Sequence, residues 1–135
     1  MDHTELNRFG SRYAEAWCSQ DPENVAAFYS KGGSISINGS APEPIAKEAL
    51  GFMTAFPDMV VTMDKMVPRS DGADADAEFH WTLDGTNTGP GGTGKHVHIS
   101  GYEEWTFGAD GLVARSQGYY DAAEYERQLK HGVDG

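Results

Sequence analysis

The sequence predicts an α+β fold in which helices cover one face of a mostly antiparallel, curved sheet. Apolar residues recur at helical spacing through the first half of the chain. The second half is a series of β-branched and aromatic runs separated by glycine-bearing turns. With 135 residues, 39% of them apolar and 11% aromatic, the chain can fill one core without disulfides or a structural metal. Residues 1–135 are therefore expected to form a single domain.

From Glu5 to Ser19, Leu6, Phe9, Tyr13, Ala16 and Trp17 share a helical face, with Arg8, Arg12 and Glu15 mostly opposite. Asp21-Pro22-Glu23 supplies an N-cap, a proline at the first helical position and an acid in the first turn of a short second helix. Ser34 to Asn38 alternates Ile35 and Ile37 with small polar residues, a strand pattern that Gly39 to Pro44 breaks. Ile45, Ala49, Phe52, Met53 and Phe56 mark a third helix, stopped by Pro57. Met59 to Pro68, Ala75 to Asp84, Lys95 to Phe107 and Leu112 to Tyr120 read as an antiparallel meander. Asp121, with Glu124 three residues on, starts a closing helix through Tyr125 and Leu129 to His131.

Twenty-one acidic against ten basic residues give a formal charge of −11, which repels phosphate backbones and anionic membrane surfaces. No nucleic-acid or membrane partner is expected. The single cysteine, Cys18, excludes an internal disulfide and reads as a small core residue. The first ten residues show no basic and apolar leader pattern, so the expected setting is cytoplasmic.

Phe28-Tyr29 ahead of a strand, Gly85-Thr-Asn-Thr-Gly89, Phe107-Gly-Ala-Asp-Gly111-Leu-Val, and a final Asp121 with Gln128-Leu129 occur in this order. On these motifs the chain resembles the SnoaL-like polyketide cyclases of the nuclear transport factor 2-like (NTF2-like) superfamily, from the first helix to Leu129. The resemblance implies a cone: a curved sheet with helices closing one side, an apolar cavity inside, and homodimerisation through the outer sheet face. It also implies cofactor-free chemistry on a small molecule. Many unrelated activities share such a cone, so function rests on the residues that face inward.

Alternate residues of a strand share a face, so Gln117, Tyr119 and Asp121 are expected to project together into the cavity. In SnoaL-like cyclases the matching aspartate is the base that abstracts a carbon-bound proton, which makes Asp121 the expected general base. The same residue is also a plain helix cap, and a carboxylate held by backbone N–H groups is a weaker base. Glu103 aligns with the inward acid that ketosteroid isomerases of this superfamily use as an oxyanion donor, and Tyr13 with their tyrosine. Together they would polarise a carbonyl oxygen. Their structural alternatives are a solvated strand residue next to Glu104 and a core aromatic. Where the isomerases carry their aspartate base this chain has Ile37 followed by Asn38, which argues against steroid isomerisation by that route.

Phe9, Trp17, Phe28, Phe52, Phe56, Phe79 and Trp81 serve as cavity walls or as ordinary core. Trp17, Phe28, Phe52, Phe56 and Trp81, with Gln117 and Tyr119, are the expected contacts to a small apolar or aromatic carbonyl ligand. His96-Val-His98 followed by Glu103 has the spacing of cupin metal sites, but His98 and Glu103 differ in strand parity, and no metal site is expected. The leading expectation is thus proton abstraction from a carbonyl compound, of aldol-cyclisation or isomerisation type. A non-catalytic binding or dimerisation module, and a dehydratase or hydrolase, are the alternatives.

Overall fold

The structure, a computed structural model, describes residues 2–69 and 75–135. Helix α1 (His3–Trp17) begins earlier than its apolar pattern suggests, because the Asp2 side chain accepts the Glu5 backbone N–H at 2.8 Å. Asp21 caps the short α2 (Pro22–Ala26), with Pro22 in its first turn as expected. Helix α3 (Ile45–Ala55) and helix α4 (Ala122–His131) are the other two helices among the described residues.

Six strands form one sheet in the order β2-β1-β6-β5-β4-β3. The strands β3 (Val60–Pro68), β4 (Ala77–Thr86), β5 (His96–Phe107) and β6 (Val113–Tyr120) pair antiparallel in sequence order, as the meander predicts. The turn expected between β3 and β4 falls in 70–74, outside the described residues. Strand β1 (Tyr29–Ile37) runs parallel to β6, a long-range pairing that local pattern does not reveal. It starts five residues before the expected Ser34, passing through an irregularity between Tyr29 and Ser34 where Gly32 has φ +78°. The two-residue β2 (Glu43–Pro44), not anticipated, closes the β1 edge.

The helices cover one face of this curved sheet. Helix α1 crosses β3 closely at Gly10, where a Cβ would come within 2.6 Å of Met66 Sδ and 2.7 Å of Met63 Sδ. Helix α4 seals the edge of β5 that β6 leaves unpaired: the buried Gln128 accepts the His98 backbone N–H at 2.7 Å through its Oε1.

The interior under the helices has two parts. In one, Phe9, Tyr13, Phe28, Trp105 and Phe107 pack edge to face, and Phe79 stacks on Trp105 at 5.2 Å. The other part is hollow.

Candidate active site

Inward-facing residues of the sheet are set by the register. On β4 they are Phe79, Trp81 and Leu83, and on β5 Ile99, Gly101, Glu103 and Trp105. On β6 the inward set is Ser116, Gly118 and Tyr120, opposite in parity to the expected Gln117, Tyr119 and Asp121. The cause is a bulge: Phe107 pairs with Val113 but Thr106 pairs with Arg115, so Ala114 is an extra residue on β6. Counting by twos from the buried Val113 crosses that bulge and lands on the wrong face.

The hollow part is a cavity of about 550 Å³, its open mouth included, with an almost wholly apolar wall. Five of its lining rings form a continuous belt. Trp17 meets Phe52 at 6.2 Å, Phe52 meets Tyr125 at 6.4 Å, Tyr125 meets Tyr120 at 5.5 Å and Tyr120 meets Trp81 at 6.1 Å. Ile35, Ile37, Phe79 and Gly118 line it as well, and Glu103 is the carboxyl group in this wall.

Glu103 is 5% exposed. Its Oε1 accepts Ser116 Oγ at 2.8 Å, Tyr13 Oη and Trp105 Nε1 at 2.9 Å each, and Tyr29 Oη at 3.4 Å. The two phenols also meet each other at 2.9 Å. No donor among the described residues reaches Oε2, so this is the carboxyl oxygen left to the cavity that Glu103 lines. Burial pushes the Glu103 pKa up, and the bonds from Trp105, Ser116, Tyr13 and Tyr29 oppose that shift without cancelling it. Both phenols are held well above their ordinary pKa, first by burial and then by the Glu103 charge, so they act as neutral donors.

The structure joins two of the three expected catalytic residues and separates the third. Tyr13, fully buried, holds Glu103 but does not line the cavity, so it cannot itself polarise a ligand oxygen. Asp121 is exposed, caps α4 by accepting the Glu124 N–H at 3.0 Å, and stands outside the cavity wall. The base expected at Asp121 is therefore not in the cavity.

Of the expected ligand contacts, Trp17, Phe52 and Trp81 line the cavity. Phe28 instead packs on Phe9 and Tyr13 in the filled part of the core. Phe56 lies behind Tyr125 against Gly85. Gln117 and Tyr119 face outward, bonded to each other at 3.1 Å, with Tyr119 beside Tyr102.

Tyr29, Trp105 and Ser116, the partners of Glu103, and Tyr120 and Tyr125, which line the wall, are not among the site residues expected from the sequence. Parity with Glu103 marks Trp105; the others depend on long-range pairing. His96 and His98 both lie against Asp84 on the exposed face, at 3.5 and 2.7 Å, with Glu103 on the opposite side of the sheet. They do not come together as the cupin spacing would require.

The sequence pattern of the SnoaL-like polyketide cyclase family matches residues 7–129. No curated protein matches the chain significantly. Among solved structures, AclR from Streptomyces galilaeus superposes with a TM-score of 0.77 at 19% identity, covering 95% of this chain and 86% of that one. SalBIII, an epoxide hydrolase/cyclase-like enzyme of pyran ring formation in salinomycin, gives 0.74 at 12% identity over 90% and 95%. A protein of ketosteroid isomerase-like fold from Catenulispora acidiphila, solved with trimethylamine, gives 0.73 at 14% identity over 94% and 95%. At these identities the likeness establishes the fold.

Proposed function

Because the chain belongs to the SnoaL-like polyketide cyclase family, we propose that it is a small-molecule enzyme whose Glu103 exchanges a proton with a carbonyl compound held in the apolar cavity. The observation that carries this is the asymmetry of one carboxyl group. Oε1 is saturated by protein donors, and Oε2 is left to the cavity.

A proton on Glu103 consequently resides on Oε2. In the carboxylate form Oε2 is the free basic oxygen: when a substrate α-carbon approaches it, Oε2 takes the α-proton, and the C–H electron pair becomes the C=C bond as the carbonyl π pair moves onto oxygen to give an enolate. The enolate carbon then attacks a second carbonyl, or is reprotonated elsewhere, and Oε2–H returns the proton to the resulting alkoxide or carbon. Burial makes Glu103 a stronger base than a solvated glutamate and keeps water from quenching the enolate. Tyr13, Tyr29, Trp105 and Ser116 are positioning residues that fix the carboxyl plane. This reading moves the base from Asp121 to Glu103 and needs no cofactor.

A binding module is the second reading. The belt of five rings favours it, since such a wall suits a flat apolar ligand or an organic ammonium ion, and the Catenulispora acidiphila neighbour was solved with trimethylamine. On either reading the chain works in the cytoplasm as a homodimer through the outer sheet face. There His80 stacks on Tyr102, Tyr102 meets Tyr119, and Thr82 bonds Ser100. Sedimentation at micromolar concentration tests the dimer, and a single-protomer mass contradicts it.

The enzymatic reading is tested by incubating the protein and Glu103→Gln in D₂O with enolisable ketones, 1-tetralone among them, and following α-carbon deuteration by NMR. The expected result is exchange by the wild type that falls about 10²–10⁴-fold in the variant. Ligand binding with no exchange above buffer by the wild type establishes the binding module instead.

A further inference from the structure

Proton abstraction beside a carbonyl leaves negative charge on oxygen, and that oxygen needs a donor. The residues expected to provide it are committed elsewhere: Tyr13 bonds Glu103 and Tyr29, and Glu103 Oε1 is filled by protein donors. Two indoles of the cavity wall are other donors to consider. Trp17 and Trp81 both line the cavity with a buried indole Nε1; that of Trp81 has no hydrogen-bond partner among the described residues, whereas that of Trp17 has the Tyr13 hydroxyl as a hydrogen-bonding neighbour. Trp105, by contrast, spends its indole N–H on Glu103. A buried N–H without an acceptor is rare in folded proteins, and an indole N–H can only donate.

Both indoles are held in place by packing. Trp17 is 7% exposed and lies between the rings of Tyr13, at 6.3 Å, and Phe52, at 6.2 Å. Trp81 lies over Gly101 on the neighbouring strand, where a Cβ would come within 2.6 Å of its Cζ2, and its other flank meets Tyr120. The absence of a side chain at 101 gives the Trp81 indole its seat. The Trp17 N–H is turned to the Tyr13 hydroxyl and opposes the upward shift of its pKa, so Trp81 is the indole donor left to a ligand. Tyr120 and Tyr125 also bring hydroxyls to the wall, but both residues are only half-buried and can keep a hydrated O–H.

We propose that the indole N–H of Trp81 holds the ligand's oxygen, donating first to its carbonyl and then to the enolate. The inference rests on the carbonyl-ligand reading above. It also narrows the ligand class to neutral, largely apolar compounds with an acceptor oxygen. A carboxylate or phosphate would meet Glu103 across the cavity, with no Lys, Arg or His among the described residues of the wall to offset it.

The test follows the indole resonances in ¹H–¹⁵N spectra of the full chain while 1-tetralone, or its oxygen-free counterpart tetralin, is added. The ketone is expected to move the Trp81 indole proton downfield, tetralin to perturb cavity amides such as Gly118 without that shift, and Trp105 to respond to neither. Trp81→Phe is expected to weaken the ketone about tenfold more than it weakens tetralin, the difference being the loss of one hydrogen bond. Ketone binding without a downfield Trp81 indole shift, an equal shift with tetralin, or no cavity response to the ketone overturns the inference. Failure of the Glu103 step looks different: the indole shift persists and α-carbon exchange is missing.

Discussion

Ser116 Oγ meets Glu103 Oε1 at 2.8 Å because the bulge at Ala114 turns Ser116 inward on β6. This bond favours the charged carboxylate, and its loss should raise the proton affinity of Glu103 further. Ser116→Ala is therefore expected to shift the midpoint of the α-carbon exchange profile to higher pH, with the fold retained. An unchanged midpoint would mean that Ser116 does not tune the acid.

Replacing the carboxyl separates its structural role from its chemical one. Glu103→Gln keeps an acceptor for the protein donors, whereas Glu103→Ala strands buried donors and should cost about 2–4 kcal/mol. Chemical denaturation of the two variants checks this order.

The pH dependence of stability follows from the same group. Glu103 binds its proton more tightly folded than unfolded, so its contribution is fully present below the ordinary glutamate pKa and is lost as pH rises through the raised folded value. Melting curves should show the wild type losing ground to Glu103→Gln as pH climbs through that window and a constant difference above it. A difference independent of pH contradicts the shift.

At Asp121 the geometry predicts a cap and nothing more. Asp121→Asn should melt with the wild type and retain full exchange activity, while Asp121→Ala should lose about 1 kcal/mol of stability and keep its activity. Loss of exchange in the Asn variant would return the base to this position.

Gly118 sits in front of Glu103 on the cavity wall, where a Cβ would stand 3.1 Å from Ile37 Cδ1 and 3.7 Å from Glu103 Cγ. A larger side chain here would occupy ligand space while touching none of the donors to Oε1. Gly118→Val is expected to abolish binding of 1-tetralone and leave the folded state intact by circular dichroism. Undiminished binding would place the ligand elsewhere.

Much of the fold was legible because it is locally encoded. The Asp21-Pro22 cap, the face from Leu6 to Trp17 and the alternation along β4 and β5 each announce their element within a few residues. What was not legible depends on pairing between distant segments. The parallel β1–β6 ladder brings Tyr29 beside the acid, and the Ala114 bulge decides whether Ser116 or Gln117 faces inward. One residue of register displaced Asp121, Gln117 and Tyr119 from the site and put Ser116, Gly118 and Tyr120 in their place. Glu103 faces inward and meets Tyr13 because their elements contain no such irregularity among the core residues that anchor them.

The proposed role of Glu103 requires a titratable proton facing the cavity. The most direct measurement is a ¹³C titration of its side-chain carboxyl carbon, identified by comparison with Glu103→Gln, in the free protein and with 1-tetralone bound. The expected midpoint lies above the ordinary glutamate range and moves up again when the ketone displaces solvent from Oε2. A midpoint at or below the ordinary range, or one that ignores a ligand bound in the cavity, would contradict the assignment of Glu103 as the proton carrier.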